Sequence, residues 1–258
     1  MKKILLLVLL LITFGLNTTL KADDDFTKAI VKAKKNFKNA MDKYDEKEMI
    51  KSRGEFERIL QLKKNVWLVN YYLALVDYNI ATTGMLSKDN DKVKKYTQSG
   101  FDFLEKSMLE RDNFADAYVL KLSLEYNRFQ YEMDKMQSII ADVQTAEETA
   151  KKLDPTNPRF YLVKGIATFY TPAAFGGGTD LAQPLFEKSI ELFSLIKNSD
   201  ETLPDWGNDA AYGYLALCQI DAGKLPEAKA SMDKGLVINP TSGFLTGYVK
   251  KAYDEKDK

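Results

Sequence analysis

The sequence predicts an all-α protein built as a stack of antiparallel helix pairs. Three observations carry this. Apolar residues recur at spacings of three and four along most of the chain, the period of a helix with one buried face. A mark of a small residue followed by positions four and then three further on recurs at Gly100, Leu104 and Ser107, at Ala182, Phe186 and Ser189, and at Ala228, Met232 and Gly235. Glycine and proline fall between the periodic stretches, at Gly223 and Pro226, at Pro240 and across residues 154–158, where they break helices.

The chain begins with a basic pair, Lys2 and Lys3, then an apolar run over residues 4–16 and a polar stretch over 17–19. Leu20 and Ala22 suit a cleavage site. This is the pattern of a secretory signal peptide over residues 1–22, with Asp23 as the new N-terminus and residues 23–258 as the working domain. The run is shorter than the ~20 residues a spanning helix needs, and no cysteine follows it to take a lipid. The 37 basic side chains lose Lys2, Lys3 and Lys21 with it, leaving 34 against 37 acidic ones. No other stretch is apolar enough to span a membrane, and the absence of a basic excess argues against nucleic acid.

Residues 26–44 form an amphipathic helix through Ile30, Phe37, Ala40, Met41 and Tyr44, and residues 46–62 a second through Met49, Phe56 and Ile59. In the helix at 66–83, residues 66–76 are apolar on every side with only Asn70 polar, and Asp77 is the one charge, so this helix is expected to be buried all round. Residues 92–110 supply its partner. A third pair runs over 114–131 and 136–153, with a longer connection than its neighbours. A fourth starts at 160–170, with Gly165 as its small residue. An insertion over 171–180 follows. Thr179 or Asp180 is expected to cap the next helix, and Gln183 to complete a capping box. A second loop covers 197–208. The last pair lies at 209–240, and a lysine-rich helix over 242–253 closes the array.

The unit at 209–240 is the clearest. Tyr212, Leu215 and Ala216 mark its first helix, Gly223 its turn, Ala228, Met232 and Gly235 its second helix, and Pro240 its end. Gly223 can take the left-handed conformation that ends a helix, and Pro226 suits a first helical turn. This unit resembles a tetratricopeptide repeat, a helix-turn-helix of about 34 residues. The resemblance implies a right-handed superhelical solenoid whose hollow binds a partner. The insertion and following helix, residues 172–186, also resemble a glycine-rich turn in the T-component of TRAP transporters. That implies an extracytoplasmic helper handling an apolar ligand or docking a binding protein.

Catalysis finds little support. The chain has no histidine, the commonest general base and metal ligand. Its one cysteine, Cys218, sits in an uncharged run and reads as core. The glycines at 176–178 precede a helix, yet no lysine-serine or lysine-threonine follows, so they read as a flexible insertion and not as a phosphate loop. No pair of carboxylates stands out from the acids spread over every helix. The chain is therefore expected to be a non-enzyme without a cofactor.

The aromatics are more informative. Carried over from the repeat, the positions that face the hollow fall on Tyr71, Leu75 and Tyr78, on Leu124, Asn127 and Arg128, on Arg159, Leu162, Ile166, Phe169 and Tyr170, and on Leu217, Ile220 and Asp221. Tyr71, Tyr78, Asn127, Arg128, Arg159, Phe169 and Tyr170 are the candidate binding residues. Such a lining is too apolar for an open water-filled channel. Either the chain closes the hollow itself, or the hollow is a groove for a ligand or peptide. The expected role is a periplasmic or secreted scaffold that binds another envelope protein or an extended peptide. The alternative is a small apolar ligand, held as part of a transport system.

Overall fold

The structure, a computed structural model, describes residues 24–197 and 200–258, so the signal sequence expected over 1–22 lies outside the described residues. Those residues are helical and contain no strand. Five antiparallel pairs follow one another: α1 (24–42) with α2 (Glu46–Leu60), α3 (Val66–Ser87) with α4 (Asn90–Glu110), α5 (Ala115–Asn127) with α6 (Met136–Leu153), α7 (Pro158–Tyr170) with α8 (Thr179–Leu195), and α9 (Asn208–Asp221) with α10 (Leu225–Ile238). A terminal helix α11 opens with a wide π turn, Phe244–Val249, and runs on as Lys250–Lys256. The fold is an all-α, tetratricopeptide-like solenoid.

Each helix follows from its pattern. In α1, Phe26, Ile30, Ala33, Phe37 and Ala40 alternate by four and three, and all are buried. Asp45 accepts a hydrogen bond from the Glu48 amide and so caps α2. Every residue from Leu68 to Asp77 of α3 is buried, as its all-round apolar character demands. Asp77 is tolerated there because Arg53 Nε lies 2.7 Å and Ser99 Oγ 2.6 Å from its carboxylate, tying α2, α3 and α4 together. Asn157 accepts from the amides of Arg159 and Phe160 and starts α7, with Pro158 in its first turn.

The small residues do what the spacing predicts. A Cβ at Gly165 would lie 2.6 Å from the Phe186 ring, so the glycine lets α8 sit against α7. Ala216 and Ala228 are fully buried where α9 meets α10, and Gly223, at φ +72°, makes the turn between them.

Three local expectations are corrected. Gly178, not Thr179 or Asp180, is the N-cap of α8, and no side chain caps it. The Thr179 hydroxyl instead donates to Asp221, and Gln183 donates to Glu187. The third pair's first helix stops at Asn127, and two short 3-10 turns, Arg128–Gln130 and Met133–Lys135, fill the long connection. The closing helix begins as a π turn.

Two long-range features shape the hollow side. The segment 200–206 folds back across the first helices. Lys34 of α1 donates to the carbonyls of Glu201 and Leu203, each at 2.6 Å. Tyr72 donates to the Thr202 carbonyl, and Trp206 Nε1 donates to the Tyr71 hydroxyl at 2.8 Å. The two ends of the array also meet. Asp42, at the end of α1, accepts from Asn239 Nδ2 at 2.8 Å and from Thr241 Oγ1 at 2.7 Å, between α10 and α11.

Candidate functional site

The expected hollow-facing residues separate into three places. Tyr71, Asn127 and Arg159 belong to the interior, with 0%, 4% and 6% of their surfaces exposed. Tyr71 is covered by Trp206. Asn127 donates to Thr97 Oγ1. Arg159 is held by Asp116, with Nε 2.7 Å from the carboxylate, and donates to the Pro204 carbonyl. For Tyr71 and Arg159 the cause is one event that helix periodicity cannot show: the 200–206 segment returns and covers them.

Arg128 faces a separate cleft of about 480 Å³, between α4 and α5, beside Phe101, Glu105, Lys121 and Tyr131. Its guanidinium is already matched by Glu125, Glu132 and Asp142, at 2.6 to 2.9 Å. Burial raises the Glu125 carboxyl above its ordinary value, against the pull of Arg128. A cleft whose charges satisfy one another offers a ligand few free partners.

Tyr78, Phe169 and Tyr170 come together, and the structure adds residues to them. Phe169 packs edge-on against Tyr170 and Tyr214, with centroids 5.1 and 5.8 Å away. Tyr214 of α9 lies 4.8 Å from Phe244, which stacks on Tyr248 of α11 at 5.9 Å. The phenol of Tyr170 is near enough to those of Tyr44, Tyr78, Tyr214 and Tyr248 to influence their ionisation or be influenced by it. Five of the 14 tyrosines thus converge from α3, α7, α9, α11 and the turn after α1.

This cluster is partly open to solvent. Burial raises the phenols of Tyr44 and Tyr170 above their ordinary value. Their side chains nonetheless remain 45% and 59% exposed, and Tyr248 is 54% exposed. The Tyr170 and Tyr214 rings meet edge-on, with centroids 6.3 Å apart.

Tyr44 adds a second sign. Its φ is +51°, the left-handed region where helices end on glycine. A bulky residue there carries strain of about 1–3 kcal/mol. The backbone would favour glycine, so the ring is what the position supplies.

Sequence reasoning reached Tyr78, Phe169 and Tyr170 and missed Tyr44, Tyr214, Phe244 and Tyr248. Tyr214 was accessible to it: stepping back from Asp221 by four and three along α9 passes Leu217 and arrives there. Tyr44 and Tyr248 join only because the ends of the array meet, which leaves no local signal.

Cys218 is 1% exposed, and burial, aided by Asp221, pushes its thiol up to about 12. It is a protonated core side chain at neutral pH. No helix among the described residues is long and apolar enough to cross a membrane.

No family model matches the chain, and no curated protein matches it in sequence. Solved structures do resemble it. The chain is similar to the HusA haemophore from Porphyromonas gingivalis, with a TM-score of 0.62 and 22% identity over 77% of this chain and 93% of that one. It is also similar to TTC0263, a thermophilic TPR protein of Thermus thermophilus, with a TM-score of 0.55 and 14% identity over 85% of this chain and 98% of that one. The resemblance to a TRAP transporter component finds no support among them. At these identities the likeness is one of architecture, and in architecture the chain is a tetratricopeptide-like helical solenoid.

Proposed function

We propose that the protein is a non-catalytic binding protein whose cluster of part-exposed tyrosines holds a compact, flat, apolar ligand of the tetrapyrrole class, with haem as the leading candidate. The observation that carries this is the convergence of Tyr44, Tyr170 and Tyr248, all about half exposed, over a floor of Phe169, Tyr214 and Phe244. Aromatic rings with polar tips stack on or meet edge-on a planar π-system, and their hydroxyls serve its polar rim. The name of the similarly folded haemophore adds weight to this ligand class over other flat molecules.

An extended peptide along the whole hollow, the other expectation from sequence, is less well served. Half of that path is occupied by residues 200–206, bonded to Lys34, Tyr72 and Tyr71. The pattern of residues 1–22 further supports a role outside the cytoplasm, with the chain beginning at Asp23 after export.

The test is a titration of the exported chain with iron-free protoporphyrin IX, followed by the porphyrin's absorbance and by tryptophan emission. Saturable binding that Tyr170→Ala and Tyr248→Ala weaken by about 1–2 kcal/mol each is the expected outcome. An absence of saturation, or affinity indifferent to both substitutions, removes the tyrosine cluster as the site.

A further inference from the structure

We propose that the surface beneath residues 200–206 is a peptide-recognition site held shut by the chain's own segment, and that a short acidic segment of a partner protein binds there in its place. The site shares no residue with the tyrosine cluster. Four consecutive carbonyls of the segment are each taken by a side-chain donor of the helices below. Lys34 of α1 donates to Glu201 and Leu203 at 2.6 Å, Tyr72 of α3 to Thr202 at 2.7 Å, and Arg159 of α7 to Pro204 at 3.2 Å. The segment's own amides are served from within it: those of Thr202 and Leu203 go to Asp200, and Pro204 has none.

This is how a groove holds a bound peptide. The donors sit on three separate helices and take main-chain oxygen, so they would serve any peptide that presents carbonyls in the same order. Apolar contacts add selectivity. Leu203 and Trp206 pack against the core that holds Tyr71, Tyr72 and Phe114, and Trp206 Nε1 donates to Tyr71. Asp205 lies 3.3 Å from Lys34 and supplies the acidic preference. Asp200, Glu201 and Asp205 face solvent, so the segment lies at the surface, where a competitor can reach it.

Stability alone does not call for this arrangement. A buried ammonium costs desolvation that an apolar side chain would avoid, and burial pulls the Lys34 amine below its ordinary value. A site that keeps donors ready for carbonyls has a use for that charge.

The experiment titrates a labelled, end-blocked peptide of residues 200–206 onto the unsubstituted chain, Leu203→Ala and Trp206→Ala, followed by fluorescence anisotropy. Circular dichroism and denaturant midpoints confirm that each chain is folded. In the unsubstituted chain the tethered segment competes at an effective concentration of about millimolar, so the peptide should bind weakly. Leu203→Ala and Trp206→Ala loosen the segment and leave the donors in place. Each should bind the peptide about tenfold or more tightly than the unsubstituted chain does. Adding Tyr72→Phe to Leu203→Ala removes one donor and should weaken the peptide by about threefold to tenfold. A peptide that binds none of the folded chains would make the segment a fixed cross-link and overturn the proposal. Equal binding to all of them, or binding indifferent to Tyr72→Phe, would place the peptide elsewhere and overturn it too. Loss of folding in both Leu203→Ala and Trp206→Ala would show that the segment is core and cannot be displaced.

Discussion

Tyr44, Arg159 and Cys218 show three different reasons for a side chain to be where it is. Tyr44 occupies a left-handed position that glycine fills without strain. Tyr44→Gly should therefore leave the protein as stable, or raise its stability by about 1 kcal/mol, while weakening ligand binding. Denaturant midpoints beside a porphyrin titration separate the two effects, and a clear loss of stability would show that the ring is structural. Arg159 is the opposite case. Its partner Asp116 is also buried, so Arg159→Ala leaves a carboxylate unpaired in the interior. The expected cost is about 3–5 kcal/mol, read as a lowered denaturant midpoint. Cys218 governs a pH response. Its folded thiol is raised from 9.0 to about 12 by burial. Above pH 9.0 the unfolded chain releases this proton first, so the folded state holds more protons and stability falls as pH rises towards about 12. Cys218→Ala should flatten the onset of that decline, and a thiol reagent at pH 8 should modify the unfolded chain only.

At the level of the helix, close packing between partners decides stability. Gly165→Ala would drive a methyl into the Phe186 ring, and Ala216→Leu would overfill the contact between α9 and α10. Each should lower the unfolding midpoint by the equivalent of about 1–3 kcal/mol. Unchanged midpoints would mean that these pairs pack in another register. These contacts were legible in the sequence, because a small residue opposite a large one leaves a mark at fixed spacing. The buried α3 was equally legible from its composition. The insertions were not. The loop over 197–208 reads as polar connection, yet its Glu201 and Leu203 reach α1, its Thr202 and Trp206 reach α3 and its Pro204 reaches α7, more than a hundred positions away in the first two cases. Such a contact has no period, so Tyr71 and Arg159 looked like surface when they were lining a filled space. Tyr78, Phe169 and Tyr170 were readable because helical periodicity alone puts them on the hollow side.

Over the whole molecule, the hollow is bounded by two closures, the returning segment 200–206 and the junction of Asp42 with Asn239 and Thr241. Asp42→Ala removes the acceptor shared by both side chains and leaves Asn239 Nδ2 only its bond to Asp209. The expected result is a larger radius of gyration in solution scattering and a mobile α1, with Tyr44 carried away from Tyr170. An unchanged scattering profile would mean that the core of α1 holds the ring together without this junction. The junction also constrains how such a chain can evolve. Open solenoids grow or shrink by duplicating a repeat, since each unit answers only to its neighbours. Here one more copy of the 209–240 unit would carry Asn239 beyond the reach of Asp42 and pull Tyr44 and Tyr248 apart. A ring of helices that meets itself has a fixed number of members, and in this lineage new function has to come by substitution within the pairs and not by adding to them.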